Sequence, residues 1–111
     1  MEIVFGSKKI EELCNDPKIR QREFGTNRAR RLARRLDDLR AAETLEVMRG
    51  LPGRCHELKA DRAGRLSLDL DHPYRLLLEP AYTPAPLKPD GGLDWVAVRA
   101  IRIIGIEDTH G

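Results

Sequence analysis

The chain changes its hydrophobic period once, near Gly53. Before that point Ala29, Leu32, Ala33, Leu36 and Leu39 recur at the three-and-four spacing of a single helical stripe. After it Leu66, Leu68 and Leu70 alternate with Ser67 and Asp69. The first pattern is a helix with one buried face, and the second is a strand with one buried side. Helices followed by a meander of strands imply an α+β fold, with the N-terminal helices packed on one face of a mostly antiparallel sheet. A chain of 111 residues, 41% of them hydrophobic, has enough apolar material for one modest core, so residues 1–111 are expected to form one domain.

Local signals fill in this frame. "EIVF" reads as a strand ending at Gly6, with Ser7 as the cap of a short helix, and Asp16 followed by Pro17 can cap and start the next. The main helical pattern runs from Gln21 to Ala42, and "TLEVMRGLPG" adds a short helix or turn. "RCHELK" and "RLSLDL", joined by "ADRAG", read as a β-hairpin. "PYRLLLEP" is a further strand, the proline-rich stretch after it is a loop, and "WVAVRAIRIIGIED" is the last and longest strand. The adjacent Ile103 and Ile104 in that strand suggest a bulge or burial on both faces.

Charge is unevenly placed. The net charge is +2, yet Pro17 to Leu36 holds eight basic residues against the single acid Glu23. Such a segment is either a solvated helix face or a surface for an acidic partner. The two cysteines, Cys14 and Cys55, are too few for a disulfide scaffold and are expected to be reduced thiols. Neither a membrane span nor a signal peptide is visible, so a soluble, cytoplasmic protein is expected. The three histidines and two cysteines lack the spacings of a zinc site, no phosphate-binding loop or dinucleotide fingerprint occurs, and neither a metal nor another cofactor is expected.

The remaining candidates for chemistry are His56, Lys59, Arg62, Arg65, Arg75 and His110. A sheet face lined by such residues suits the cleavage of a phosphodiester. Histidine removes or supplies a proton near neutral pH, and cations stabilise charge growing on phosphate oxygens. Each also has a plainer reading. His56 alternates in phase with Leu58 as a strand histidine, and Lys59 and Arg62 flank a turn where charge aids solvation. His110 is next to last, where chains fray. Arg75, inside an apolar strand, needs either a partner or an open cleft.

Taken together, "LPGRCHELKADRAGRLSLDLDHPYRLLLEP" and "DWVAVRAIRIIGIEDTHG" resemble the HigB-type toxins of bacterial toxin–antitoxin modules, in the RelE/ParE superfamily. The likeness runs from Leu51 to the C-terminus and is carried by "HELKADRAG", "HPYRLLLEP" and a last strand ending Asp-x-His. It implies a microbial-ribonuclease-like fold and an endoribonuclease that cuts messenger RNA in the ribosomal A site. It also implies inhibition by a helix-turn-helix, HigA-like antitoxin. By position, His56 and His110 are the implied acid and base, Lys59 and Arg75 the phosphate contacts, and Asp108 an orienting residue. Arg62 and Arg65 would help to place the RNA backbone. Arg28, Arg31 and Arg35 would meet ribosomal RNA. Many relatives carry an aromatic residue where this chain has Thr109. A ParE-like inhibitor of DNA gyrase and a plain RNA-binding module are the alternatives, and neither requires the histidines.

Overall fold

The computed structural model describes residues 1–109. Strand β1 (Glu2–Phe5) is followed by helix α1 (Lys8–Asn15) and the long helix α2 (Pro17–Ala41). The expected caps are in place. Ser7 Oγ accepts from the Ile10 amide at 3.2 Å, and Asp16 Oδ1 accepts from those of Lys18 and Ile19 at 2.9 and 3.4 Å. Helix α2 begins at Pro17 rather than Gln21 and is bent at Gly25, whose φ of 76° and ψ of 172° are not helical. A six-residue 3-10 turn, Leu45–Gly50, follows it.

The sheet contains β2 (His56–Glu57), β3 (Leu66–Asp69), β4 (Tyr74–Pro80) and β5 (Ala100–Asp108), in the order β1-β5-β4-β3-β2. β1 runs parallel to β5 and the other neighbours are antiparallel, so the sheet is mixed. One parallel pair follows from the helices lying between β1 and the rest of the sheet, which gives the chain room for a crossover.

Two strands are shorter than the sequence suggests. β2 spans only two residues because Arg54 and Ala60 adopt positive φ angles on either side of it. The stretch Trp95–Ala97 is a 3-10 turn, not the start of β5. The Trp95 indole is buried there, donates to Glu57 Oε2 at 3.0 Å and lies under the Arg49 guanidinium. Burial of one large ring at the sheet margin overrides the local β-propensity.

Ile10, Leu13 and Cys14 of α1 and Leu32, Leu36 and Leu39 of α2 form one cluster with Leu66, Leu68, Leu76, Leu78, Ile101 and Ile103 of the sheet. The helices therefore cover one sheet face, as the two periods predict. The buried thiols belong to this layer, and burial pushes Cys14 up to about 11 and Cys55 to about 12. Among the described residues no helix is long and apolar enough to cross a membrane.

Helix α2 is tied to the sheet by two arginines. Arg35, only 6% exposed, donates through Nε to the Asp69 carbonyl at 2.8 Å. Arg28 pairs with Asp71 at 3.0 Å and stacks 3.5 Å from the centre of the Tyr74 ring. Gly53 closes over the first tie, and its carbonyl accepts from the Asp69 amide at 2.7 Å. Its φ is +114°, and a Cβ there would stand 2.6 Å from Leu68 Cδ1 and 2.9 Å from Arg35 Nε. Gly64 also has positive φ, +94°, but a Cβ would meet nothing within 4 Å.

Gly53→Ala is expected to cost about 2–4 kcal/mol, combining backbone strain with overpacking. Gly64→Ala carries the strain alone and should cost about 1 kcal/mol. Urea midpoints at unchanged slope measure both, and equal costs would contradict the packing assigned to Gly53.

Candidate active site

Registers across the sheet place Asp69, Arg75 and Glu107 side by side on β3, β4 and β5, on the face turned away from the helices. Arg75 Nε and Nη2 both donate to Glu107 Oε1, at 2.8 and 2.5 Å. Arg62 Nη1 reaches the same oxygen from the hairpin at 2.5 Å. On the other flank Arg54 Nε donates to Asp69 Oδ2 at 3.1 Å. The result is a row of alternating charge, Arg54, Asp69, Arg75, Glu107, Arg62, with one more cation than carboxylates. Burial pushes the Glu107 carboxyl up, but its bonds to Arg62 and Arg75 outweigh that and hold it below the ordinary carboxylate range.

The next row on the same face contains His56, Ser67, Leu77 and Gly105. This face is not bare, since Ser67 is fully buried and Leu77 nearly so. His56 is half-buried, with Nδ1 2.8 Å from the Arg54 carbonyl oxygen. A carbonyl only accepts, so Nδ1 carries the hydrogen. Nε2 of the neutral ring then keeps its lone pair, the state a general base requires. His56 and Arg75 are two strands apart and two residues offset along them, about 12 Å at ordinary strand geometry.

A cleft of about 270 Å³ opens beside the charged row. Arg54, Asp69 and Arg75 form its polar side, and His72, Pro73, Tyr74 and Thr109 its other wall. Thr109 closes the end: its amide and hydroxyl both donate to the Pro73 carbonyl, each at 2.9 Å. The residue that replaces an expected aromatic thus fastens the last strand to the turn before β4.

His56, Arg62 and Arg75 share the open face, and Lys59 and Arg65 are exposed at the hairpin beside it. Arg62 is not a freely solvated turn residue, because Glu107 binds it. A bulge between Leu77 and Leu78 of β4 leaves Ile104 of β5 unmatched, so Asp108 pairs with Tyr74 and Glu107 with Arg75. The bulge turns Glu107, not Asp108, toward the arginines. Arg35 is mostly buried against the Asp69 carbonyl and meets the cleft of Arg30, Arg31 and Arg34 only from below. Arg28 is half-buried in its ties to Asp71 and Tyr74, while Arg31 is exposed beside Arg30 and Arg34. His110 lies outside the described residues.

Sequence reasoning passed over Arg54, Asp69 and Glu107. Alternation in "RLSLDL" sets Asp69 opposite the leucines, which was a usable signal. Register, which brings it beside Arg75, has no such signal in the sequence. Among the described residues no group of three or more His, Cys, Asp or Glu side chains is placed to hold a metal ion. No family model matches this chain, and no curated protein matches it in sequence.

The lowered Glu107 pKa fixes a direction for acid sensitivity. Its stabilising contribution is complete above the carboxyl's unfolded value and is lost as pH falls through the lower folded value. Arg62→Ala removes one guanidinium, so the Glu107 carboxyl should titrate at higher pH in that variant. Carbon-detected NMR of the side chain reads this, and an unchanged midpoint would contradict the shared oxygen.

Proposed function

We propose that this chain is a ribosome-dependent endoribonuclease, the toxin of a type II toxin–antitoxin module with a RelE-like ribonuclease fold. Its activity would be restrained by a helix-turn-helix antitoxin. One observation carries the reading: His56, with Nδ1 held by a carbonyl and Nε2 left to take a proton, shares a sheet face with Arg75 and Arg62. Sequence resemblance and the α+β architecture support it.

The chemistry follows from these residues. His56 Nε2 takes the proton of a ribose 2′-hydroxyl, whose oxygen attacks the neighbouring phosphorus. The bond from phosphorus to the 5′-oxygen breaks, and His110 is the candidate acid that protonates this leaving group. A 2′,3′-cyclic phosphate and a 5′-hydroxyl result. Arg75, Arg62 and Lys59 stabilise the charge that accumulates on the phosphate oxygens. The cleft beside them offers Tyr74, Pro73 and His72 as surfaces against which a base can lie.

Arg30, Arg31 and Arg34 have a separate role in this reading. They line a shallow cleft on α2 with Asn27 and Arg35, on the helical side of the molecule, and have no ion pair among the described residues. Like the exposed hairpin cations, they suit ribosomal RNA, whose affinity for such a face is salt-dependent.

Primer extension on a reporter message in a translating extract tests this directly. Cuts within codons that require ribosomes are expected from the wild type. His56→Ala should reduce their rate about 10²–10⁴-fold, as for loss of a general base. Arg75→Ala should reduce it about 10²–10³-fold. An uncut message overturns the proposal, and inhibition of DNA supercoiling by gyrase in its place would favour the ParE-like reading.

A further inference from the structure

Glu107 occupies an unusual position for a surface carboxylate. A single oxygen, Oε1, accepts three N–H bonds from two arginines, at 2.5, 2.8 and 2.5 Å. Those arginines come from different places: Arg75 from the middle of the sheet and Arg62 from the hairpin, 45 residues away from Glu107 in sequence. Two guanidiniums converging on one anionic oxygen form an oxyanion receptor, and its geometry suits a phosphate oxygen as well as a carboxylate oxygen. The group is only partly buried, with side-chain exposures of 38%, 21% and 23% for Arg62, Arg75 and Glu107. An incoming anion can therefore reach it from solvent.

We infer that Arg62 and Arg75 form a phosphate-binding site which, in the free chain, is filled by the Glu107 carboxylate as an internal substitute for the ligand. A phosphodiester must displace Glu107 to bind. The exchange keeps the charge balance, because one singly charged anion replaces another. The displaced carboxylate sits on β5, where the neighbouring open-face position is Gly105, and a Cβ at that residue would meet nothing within 4 Å. It has space to move toward solvent. Arg54 and Asp69, on the far side of Arg75, keep their own pairing during the exchange.

This inference rests on the nuclease proposal only for the identity of the phosphate's carrier, the message. Glu107 then sets an intrinsic brake on the site. Apparent affinity falls by the fraction of time the arginines are free, so a pair held by Glu107 nine-tenths of the time binds phosphate about tenfold more weakly than an unoccupied one. An ordinary structural salt bridge makes the opposite prediction, because loosening the arginines would weaken binding.

The test is binding of a single-stranded 2′-O-methyl oligoribonucleotide, which cannot be cleaved by 2′-hydroxyl attack, followed by fluorescence anisotropy at fixed ionic strength. Glu107→Gln should bind about tenfold more tightly than wild type. Glu46→Gln makes the same charge change at the Arg49 pair on the Leu45–Gly50 turn, and should gain no more than about twofold. The gain should disappear when Arg75→Ala is added to Glu107→Gln. Equal or weaker binding by Glu107→Gln, an equal gain in Glu46→Gln, or a gain that survives Arg75→Ala would overturn the inference.

Inorganic phosphate titrated into the wild type gives a second readout that does not depend on the variants folding. Arg75 Nε–H and Glu107 carboxyl NMR signals should shift together and saturate, with no such response to chloride at equal ionic strength. Shifts of neither signal would also overturn the inference. Because neither measurement involves cleavage, an inactive protein with intact phosphate exchange would count against the nuclease proposal alone.

Discussion

The bulge at Ile104 is the constraint on which the charged face depends. β5 carries two jobs that a regular strand of this sequence cannot combine. Ile101 and Ile103 must face the helices to complete the core, and a carboxylate must face Arg75 on the opposite side. Without the extra residue, strict alternation from Ile103 would turn Glu107 toward the helices and Asp108 toward the arginines. The bulge resets the phase halfway along the strand, so Ile106 returns to the core side and Glu107 meets Arg75 and Arg62. A single unmatched residue thus couples core packing to the electrostatics of the site.

This explains which features were legible in the sequence. Helix and strand periods gave the architecture because burial on one face writes itself into spacing. The caps at Ser7 and Asp16 were legible because side-chain oxygens next to a helix start have little else to do. Even the bulge was signalled by adjacent isoleucines. Its consequence was not, since the direction of a phase change depends on where the partner strand pairs. The resemblance singles out Asp108, whereas the pairing of β4 with β5 sets the adjacent Glu107 opposite Arg75. The place of Arg35 was hidden for a related reason: the five arginines from Arg28 to Arg35 look alike until packing shows that one of them reaches under Gly53 to the Asp69 carbonyl.

Two basic regions emerge with different characters. On α2, Arg30, Arg31 and Arg34 are exposed beyond the helical layer and act as an electrostatic surface. On the open sheet face, Arg54, Arg62 and Arg75 are each matched to a carboxylate, and an anion that takes up Arg62 and Arg75 does so in exchange for Glu107. The helical layer separates these regions; under the proposed function one would hold a ribosomal phosphate backbone while the other handles a single strand.

Under the proposed function, single-stranded RNA meets the open sheet face beside His56 and Arg75. The most direct measurement is photo-crosslinking of the His56→Ala variant to ribosomes programmed with 4-thiouridine in the A-site codon, with the crosslinked peptides identified by mass spectrometry. Crosslinks are expected on the hairpin and in the Asp69–Arg75 segment. Crosslinks confined to α2, or none above those of a message without 4-thiouridine, would contradict it.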